Sequence, residues 1–395
     1  MMQSEELLMG WAVEDITPPG PAVLFGQYYD RLSGYVESPL TATACALESA
    51  GGQEQAILLS IDLIWCPAAL IAALRQILHS RIPGFNSQYL LVHATHTHSA
   101  PEPDVHSAYG QHLLEKLAAA AVSAWQQRQP ASVGRALAYA VAGHNRRVRY
   151  ADGTAEMYGA TDRPDFTGLE GPSDSAVDLL FCWNDAGALT GIIMNVPCPA
   201  QVTEAKYYVS ADFWSVVKKR LQDHFGQDVQ LLAQCGAAGD ISPRNLLRPY
   251  TPDEPNMWDL PGMVEVGERL ARAAIAAYAD AEKNRQNQPV FKHRSVTLQI
   301  PYRTVSPRNM KPRKPWWRTS VPASPSIPHP PAPLSTASSL ISNPTKPPGN
   351  TAPGIIKRAI TAYSANRKSF SNNIPATAKS RFTRPPCTYC ASATR

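Results

Sequence analysis

The sequence predicts an α/β domain built on a mixed sheet, followed by a tail that does not order itself. Three observations carry this. The first 300 residues alternate strand-like and helix-like segments, a mixture that argues for helices packed on a mixed sheet. Hydrophobic residues make up 44% of the 395-residue chain, ample material for a core. The composition then changes abruptly. No acidic residue follows Glu282, and Pro301 to Arg395 hold 15 Lys and Arg, no Asp or Glu, and 17 of the 36 prolines. The net charge of +5 therefore divides into −10 for residues 1–300 and +15 for the rest. A basic, Pro/Ser/Thr-rich segment buries too little apolar surface to offset the entropy of ordering. The expected division is a folded domain over 1–303 and a disordered tail over 304–395.

The elements follow in order. Apolar runs at 41–47 and 56–61 flank Gly51-Gly52 and predict a β-hairpin. Pro67 stands where a helix over 68–78 would begin, since proline suits the first helical position. Residues 89–94 predict a buried strand. Residues 109–127 carry apolar side chains at three- and four-residue spacing and predict a helix. A strand is expected over 133–141. A second hairpin, 177–183 with 188–196, surrounds Asn184-Asp185-Ala186-Gly187. Residues 213–225 predict a helix, 229–234 a strand, 263–281 a helix, and 290–302 a last strand. The sequence shows neither an internal repeat nor a glycine-rich phosphate loop.

No run of about 18 apolar residues occurs, so no transmembrane segment is expected. Met1 to Met9 carry Glu5 and Glu6 and lack a basic leader, which points away from a secretory signal and toward the cytoplasm. Seven scattered cysteines fit free thiols in a reducing compartment better than a disulfide framework. The tail has two readings: a natural basic tail, or an out-of-frame translation. Its diffuse charge suits non-specific contact with anionic surfaces rather than specific nucleic-acid binding. Cys387 and Cys390 form one isolated Cys-x-x-Cys pair, a weak zinc signal.

Four segments hold chemistry-bearing residues. Thr95-His96-Thr97-His98-Ser99 follows the strand at 89–94. If that strand continues, His96 and His98 share a face and His93 takes the other, because side chains alternate with period two. Such a pair can ligate a divalent metal, divide into one ligand and one acid/base group, or simply hydrogen-bond a loop. Gly236 to Arg244 follows the strand at 229–234, and its small residues allow close backbone approach. There Ser242 reads either as an activated nucleophile or, with Asp240, as a turn cap before Pro243. Asn145-Arg146-Arg147 offers guanidinium groups that can orient an oxyanion, or a solvated surface cluster. Asn195 to Gln201 places Cys198 between two prolines in a rigid loop, as a thiolate ligand or a small buried hydrophobe.

Taken together, these segments resemble the neutral/alkaline non-lysosomal ceramidase family. The residues that carry the resemblance are Gly10-Trp11-Ala12-Val13-Glu14-Asp15-Ile16-Thr17-Pro18, Ser60-Ile61-Asp62, Thr95 to Ser99, Asn145-Arg146-Arg147, Ser210-Ala211-Asp212 and Gly239-Asp240-Ile241-Ser242-Pro243. It runs from about Met9 to about Tyr302. The resemblance implies a zinc-dependent amidohydrolase that cleaves the N-acyl bond of ceramide or a related amphipathic lipid, releasing sphingosine and a fatty acid. It implies His96 as the first zinc ligand, His98 as a substrate-orienting group, Arg146 as the active-site arginine and Ser242 in the nucleophile position. It also implies a second zinc histidine where this chain has Cys198-Pro199, which leaves Cys198 or Gln201 as the substitute. A further glutamate and tyrosine ligand, and a C-terminal β-sandwich, have no counterpart after residue 300. One ligand of four does not hold catalytic zinc, so the resemblance speaks for the fold more than for turnover. The alternatives are a hydrolase of the same fold with another substrate and an altered metal site, and a non-catalytic binding protein.

Overall fold

A computed structural model describes residues 6–251 and 253–301. The tail expected from residue 304, its frameshift alternative and the Cys387–Cys390 pair lie outside the described residues. By its contacts the chain divides between Thr297 and Leu298, and every helix and strand below lies before that point.

The fold is α/β, with eight strands in one mixed sheet, as expected. In chain order these are β1 (Leu7–Asp15), β2 (Thr41–Ser49), β3 (Gln55–Ile61), β4 (Leu90–Ala94) and β5 (Gln129–Tyr139), with α1 (Ala68–Arg81) before β4 and α2 (Ala108–Gln126) after it. A two-residue strand, β6 (His144–Asn145), lies outside the main sheet. Then come β7 (Ala176–Asn184), β8 (Leu189–Val196), α3 (Phe213–Phe225), β9 (Gln230–Cys235), the short β10 (Ile241–Ser242) and α4 (Leu260–Lys283). The main sheet runs β9-β8-β7-β5-β1-β2-β3-β4.

That order repeats about its centre. In the first half β1 pairs antiparallel with β2, β2 with β3, and β3 parallel with β4 across α1. In the second half β5 pairs antiparallel with β7, β7 with β8, and β8 parallel with β9 across α3. Each half ends in a helix, α2 or α4, packed on its own first strand. The contacts repeat as well. A Cβ at Gly10 on β1 would overlap the Ala124 carbonyl of α2, and one at Gly134 on β5 would overlap the Ala281 carbonyl of α4. The repeat is invisible in the sequence because topology and a few close approaches specify it, and many side-chain sets satisfy those.

Three apolar layers result. On β2, Ala42, Ala44 and Ala46 face α1 and α2, while Cys45 and Leu47 face the other way. On β7, Val177, Leu179, Phe181 and Trp183 face α3 and α4, while Cys182 joins the middle layer. The sheet curls so that β9 meets β2, β3 and β4, and the Ser60 hydroxyl on β3 donates to the Ala233 carbonyl on β9 at 2.6 Å. Burial on both faces explains why these strands read as nearly continuous apolar runs.

One expectation needs correction, and one strand was not expected. The strand expected over 290–302 does not form. Residues 290–301 pair with nothing in a ladder, and Val290, Val296, Leu298 and Ile300 are exposed. Apolar alternation makes a strand only where an edge accepts it, and the chain meets β5 earlier, through Gln286 and Val133. Conversely β1, cited above only as a motif, is a central strand.

Candidate functional site

The strand β4 stops at Ala94. His96 adopts a left-handed backbone with φ of 64°, so period-two alternation does not continue through it. The two imidazoles nevertheless meet edge to face, with ring centroids 5.0 Å apart. Adjacent hydroxyl residues fasten the loop: Thr97 Oγ1 donates to the Ser210 carbonyl at 2.8 Å, and Ser99 Oγ to the Thr203 carbonyl. His93 remains in β4 opposite Ser60.

His98 is held from three sides. Gly26, with φ of 113°, lies flat against its ring, and a Cβ there would come within 2.7 Å of His98 Cγ and Nδ1. The buried Arg31 guanidinium donates to the carbonyls of His98, Phe25 and Lys206, joining three loops. Gln201 Nε2 lies 2.6 Å from His98 Nε2, and Gln201 Oε1 lies 3.5 Å from Arg146 Nη1. Since Arg146 can only donate, Gln201 turns its oxygen to Arg146 and its amide hydrogens to His98. That places the His98 proton on Nδ1, which faces Glu204 Oε2 at 3.7 Å, beyond hydrogen-bond range.

Arg146 reaches the site because β6 and β10 pair, His144 opposite Ser242 and Asn145 opposite Ile241. Asn145 Nδ2 donates to Asp240 at 2.8 Å, Arg146 N–H to the Asp240 carbonyl at 2.8 Å, and Arg146 Nη2 to the Gly239 carbonyl at 2.9 Å. Arg146 and Arg244 lie 5.7 and 5.6 Å from the centroid of the same Tyr158 ring, within cation–π range. Arg244 Nη2 is 3.4 Å from Glu204 Oε1.

Burial sets the electrostatics. It lowers the pKa of His96, with the Arg146 charge adding to the effect. Burial, then the charges of His96, Arg31 and Arg146, push His98 down to about 3. Burial raises Glu204 against the opposing pull of Arg244. Both imidazoles are therefore neutral at pH 7, able to accept hydrogen bonds or ligate, while His98 is too weak a base to take a proton there.

Ser242 and Cys198, the other two sequence candidates, have different partners. Ser242 is buried, and its hydroxyl accepts from the Arg244 N–H at 3.3 Å, the turn-capping arrangement. Cys198 lies in the apolar layer beneath α3 and α4, and its thiol contacts the Ala142 carbonyl at 3.3 Å. Burial raises its pKa well above the usual thiol value, which opposes the thiolate a metal requires. Among the described residues no three His, Cys, Asp or Glu side chains converge as a metal-binding group. Zinc takes at least three protein ligands, so the residues present do not by themselves fit it. Glu204, Arg244, Tyr158 and Arg31 were assigned no role from the sequence. One signal pointed to the first: Glu204 is the only carboxylate between Asp185 and Asp212. A cavity of about 200 Å³ lined by Met9, Trp11, Gln129, Asn184 and Gln230 shares no residue with this site.

No protein-family model matches the sequence, and no curated protein matches it. Solved structures do. The neutral ceramidase of Pseudomonas aeruginosa superposes with a TM-score of 0.58 at 19% identity, over 71% of this chain and 46% of that one. A ceramidase complexed with C2 gives 0.57 at 20% identity, over 70% and 44%. The chain thus spans less than half the length of either. What is common to all three is the architecture, and the described residues form a neutral-ceramidase-like domain.

Proposed function

We propose that this chain is a ceramidase-like amidohydrolase whose site takes the N-acyl amide of an amphipathic lipid. The observation that carries the reading is the linkage of His98 through Gln201 to Arg146, within a ceramidase-like fold. Neutral imidazoles and a guanidinium in a half-buried site suit the carbonyl of an amide and the oxyanion formed when it is attacked. Exposed aromatic rings stand near the site. Trp65 stacks on Phe25 beside Gly26, Trp258 lies under Arg244, and Tyr29 and Tyr207 lie within electrostatic reach of Arg31 and Glu204. Such a rim suits an acyl chain.

In this reading Arg146 donates to the carbonyl oxygen, and His98 orients the amide through its hydrogen bonds rather than acting as the base. Ser242 in the nucleophile role requires its hydroxyl to leave the Arg244 N–H. Zinc dependence is part of the reading and requires ligands from outside the described residues, so no step is routed through zinc. Among the described residues no helix is long and apolar enough to cross a membrane. The cytoplasmic location rests on the free thiols of Cys45, Cys66, Cys182, Cys198 and Cys235.

The test uses the purified full chain with a short fluorescent N-acylsphingosine and follows release of the labelled fatty acid, with zinc content measured by mass spectrometry. Release is expected, and Arg146→Gln is expected to lower it at least tenfold with unchanged thermal unfolding. A folded, zinc-loaded chain that releases no acid refutes the proposal.

A further inference from the structure

We infer that the site selects acyl amides that carry an anionic group, a carboxylate or phosphate, beside the amide; this rests on the amidohydrolase reading. The reason is an imbalance of charge. Three guanidinium groups, Arg31, Arg146 and Arg244, act on one carboxylate, Glu204. The other carboxylates are engaged elsewhere. Asp240 accepts from Asn145 and faces Arg147, and Asp212 accepts from four donors of its own loop and helix.

The surplus lies on partly exposed side chains. Arg31 is buried and three carbonyls hold its Nη groups, so it supplies field rather than contact. Arg146 and Arg244 are partly exposed and flank Tyr158, and the Nε of each is buried without a hydrogen-bond partner. Those sealed Nε atoms are out of a ligand's reach, but both cations share the one carboxylate of Glu204, and an oxyanion between their exposed faces can supply a second countercharge. A neutral amide alcohol cannot. Arg244 is accordingly the specificity-determining residue, and its forked donors suit a planar carboxylate or a phosphate.

The experiment measures binding, so its outcome is separate from turnover. Titration calorimetry on the full chain at pH 7.5 compares N-octanoylglycine, N-octanoylethanolamine and the phosphate ester of the latter. At least one anionic amide is expected to bind at least tenfold more tightly than the neutral one, and which does so tells carboxylate from phosphate. Arg244→Gln is expected to bring the ratio of anionic to neutral affinity to within twofold of one, and Arg244→Lys to keep part of the preference. Should Arg244→Gln fail to fold, the wild-type preference must still shrink as salt rises from 50 to 500 mM. Equal affinities, or a preference for the neutral amide, overturn the inference and leave the amidohydrolase reading standing. A chain that binds none of the three overturns both.

Discussion

Asp212 is where the site's geometry can be tested against a worked magnitude. It caps α3 from a strained backbone, φ 56° and ψ −148°, that L residues rarely adopt. Its carboxylate accepts from Val202 N–H at 3.3 Å and Phe213 N–H at 2.8 Å on one oxygen, and from Thr203 N–H at 2.8 Å and Thr203 Oγ1 at 2.7 Å on the other. Those bonds fix the turn that presents Gln201 and Glu204. Asp212→Asn keeps the shape but offers one oxygen, so two donors face an NH₂ group. Each lost bond to a charged acceptor is worth about 1.5–3 kcal/mol, a gross loss of about 3–6 kcal/mol. Burial opposes the ionised carboxylate, and neutralising it returns part of that loss. The net expectation is about 3 kcal/mol, a large share of a typical total stability of about 5–15 kcal/mol. Urea unfolding at pH 7.5, with equal slopes for wild type and variant, measures it. Hydrogen exchange at the Val202 and Thr203 amides should accelerate in parallel. A loss below about 1 kcal/mol, or unchanged exchange at those amides, refutes the account of Asp212 as the clamp.

Gly26→Ala places a methyl against the His98 ring from a left-handed backbone, so about 1–3 kcal/mol of strain and a shifted His98 ring resonance are expected by unfolding and NMR; an unmoved resonance contradicts the packing. Gly10→Ala and Gly134→Ala should each cost about 1–3 kcal/mol in denaturant unfolding, because each drives a methyl into a helix carbonyl; a harmless change at either one contradicts the duplicated contact. His93 is lowered by burial, so its contribution to stability is present above the ordinary histidine pKa of about 6.5 and lost as pH falls toward its folded value. His93→Gln should remove up to about 1.4 kcal/mol per pH unit from the slope of stability below pH 6.5, and an unaltered slope rules this out.

Much of the fold was legible locally. Pro67 marked the start of α1, Gly51-Gly52 and Asn184 to Gly187 marked the hairpins, and the spacing of Leu113, Leu114, Leu117 and Ala121 marked α2. These signals are short-range, set by backbone preference and by the period of apolar side chains. The histidine loop and Arg146 were also visible, because unusual residue types in short patterns stand out. The segment over 290–302 misled for the same reason: its alternation is local, while pairing requires a partner edge.

The sequence alone determined the kinds of element, their order, and an unusual supply of imidazole and guanidinium groups in loops after strands. Tertiary structure alone decided what those groups touch. It curled the sheet so that the loops after β4, β8 and β9 meet, left Ser242 capping a turn and Cys198 in an apolar layer, and set Glu204 between His98 and Arg244. The physical reason is that electrostatics and desolvation depend on distance and burial in space, and neither is a function of spacing along the chain.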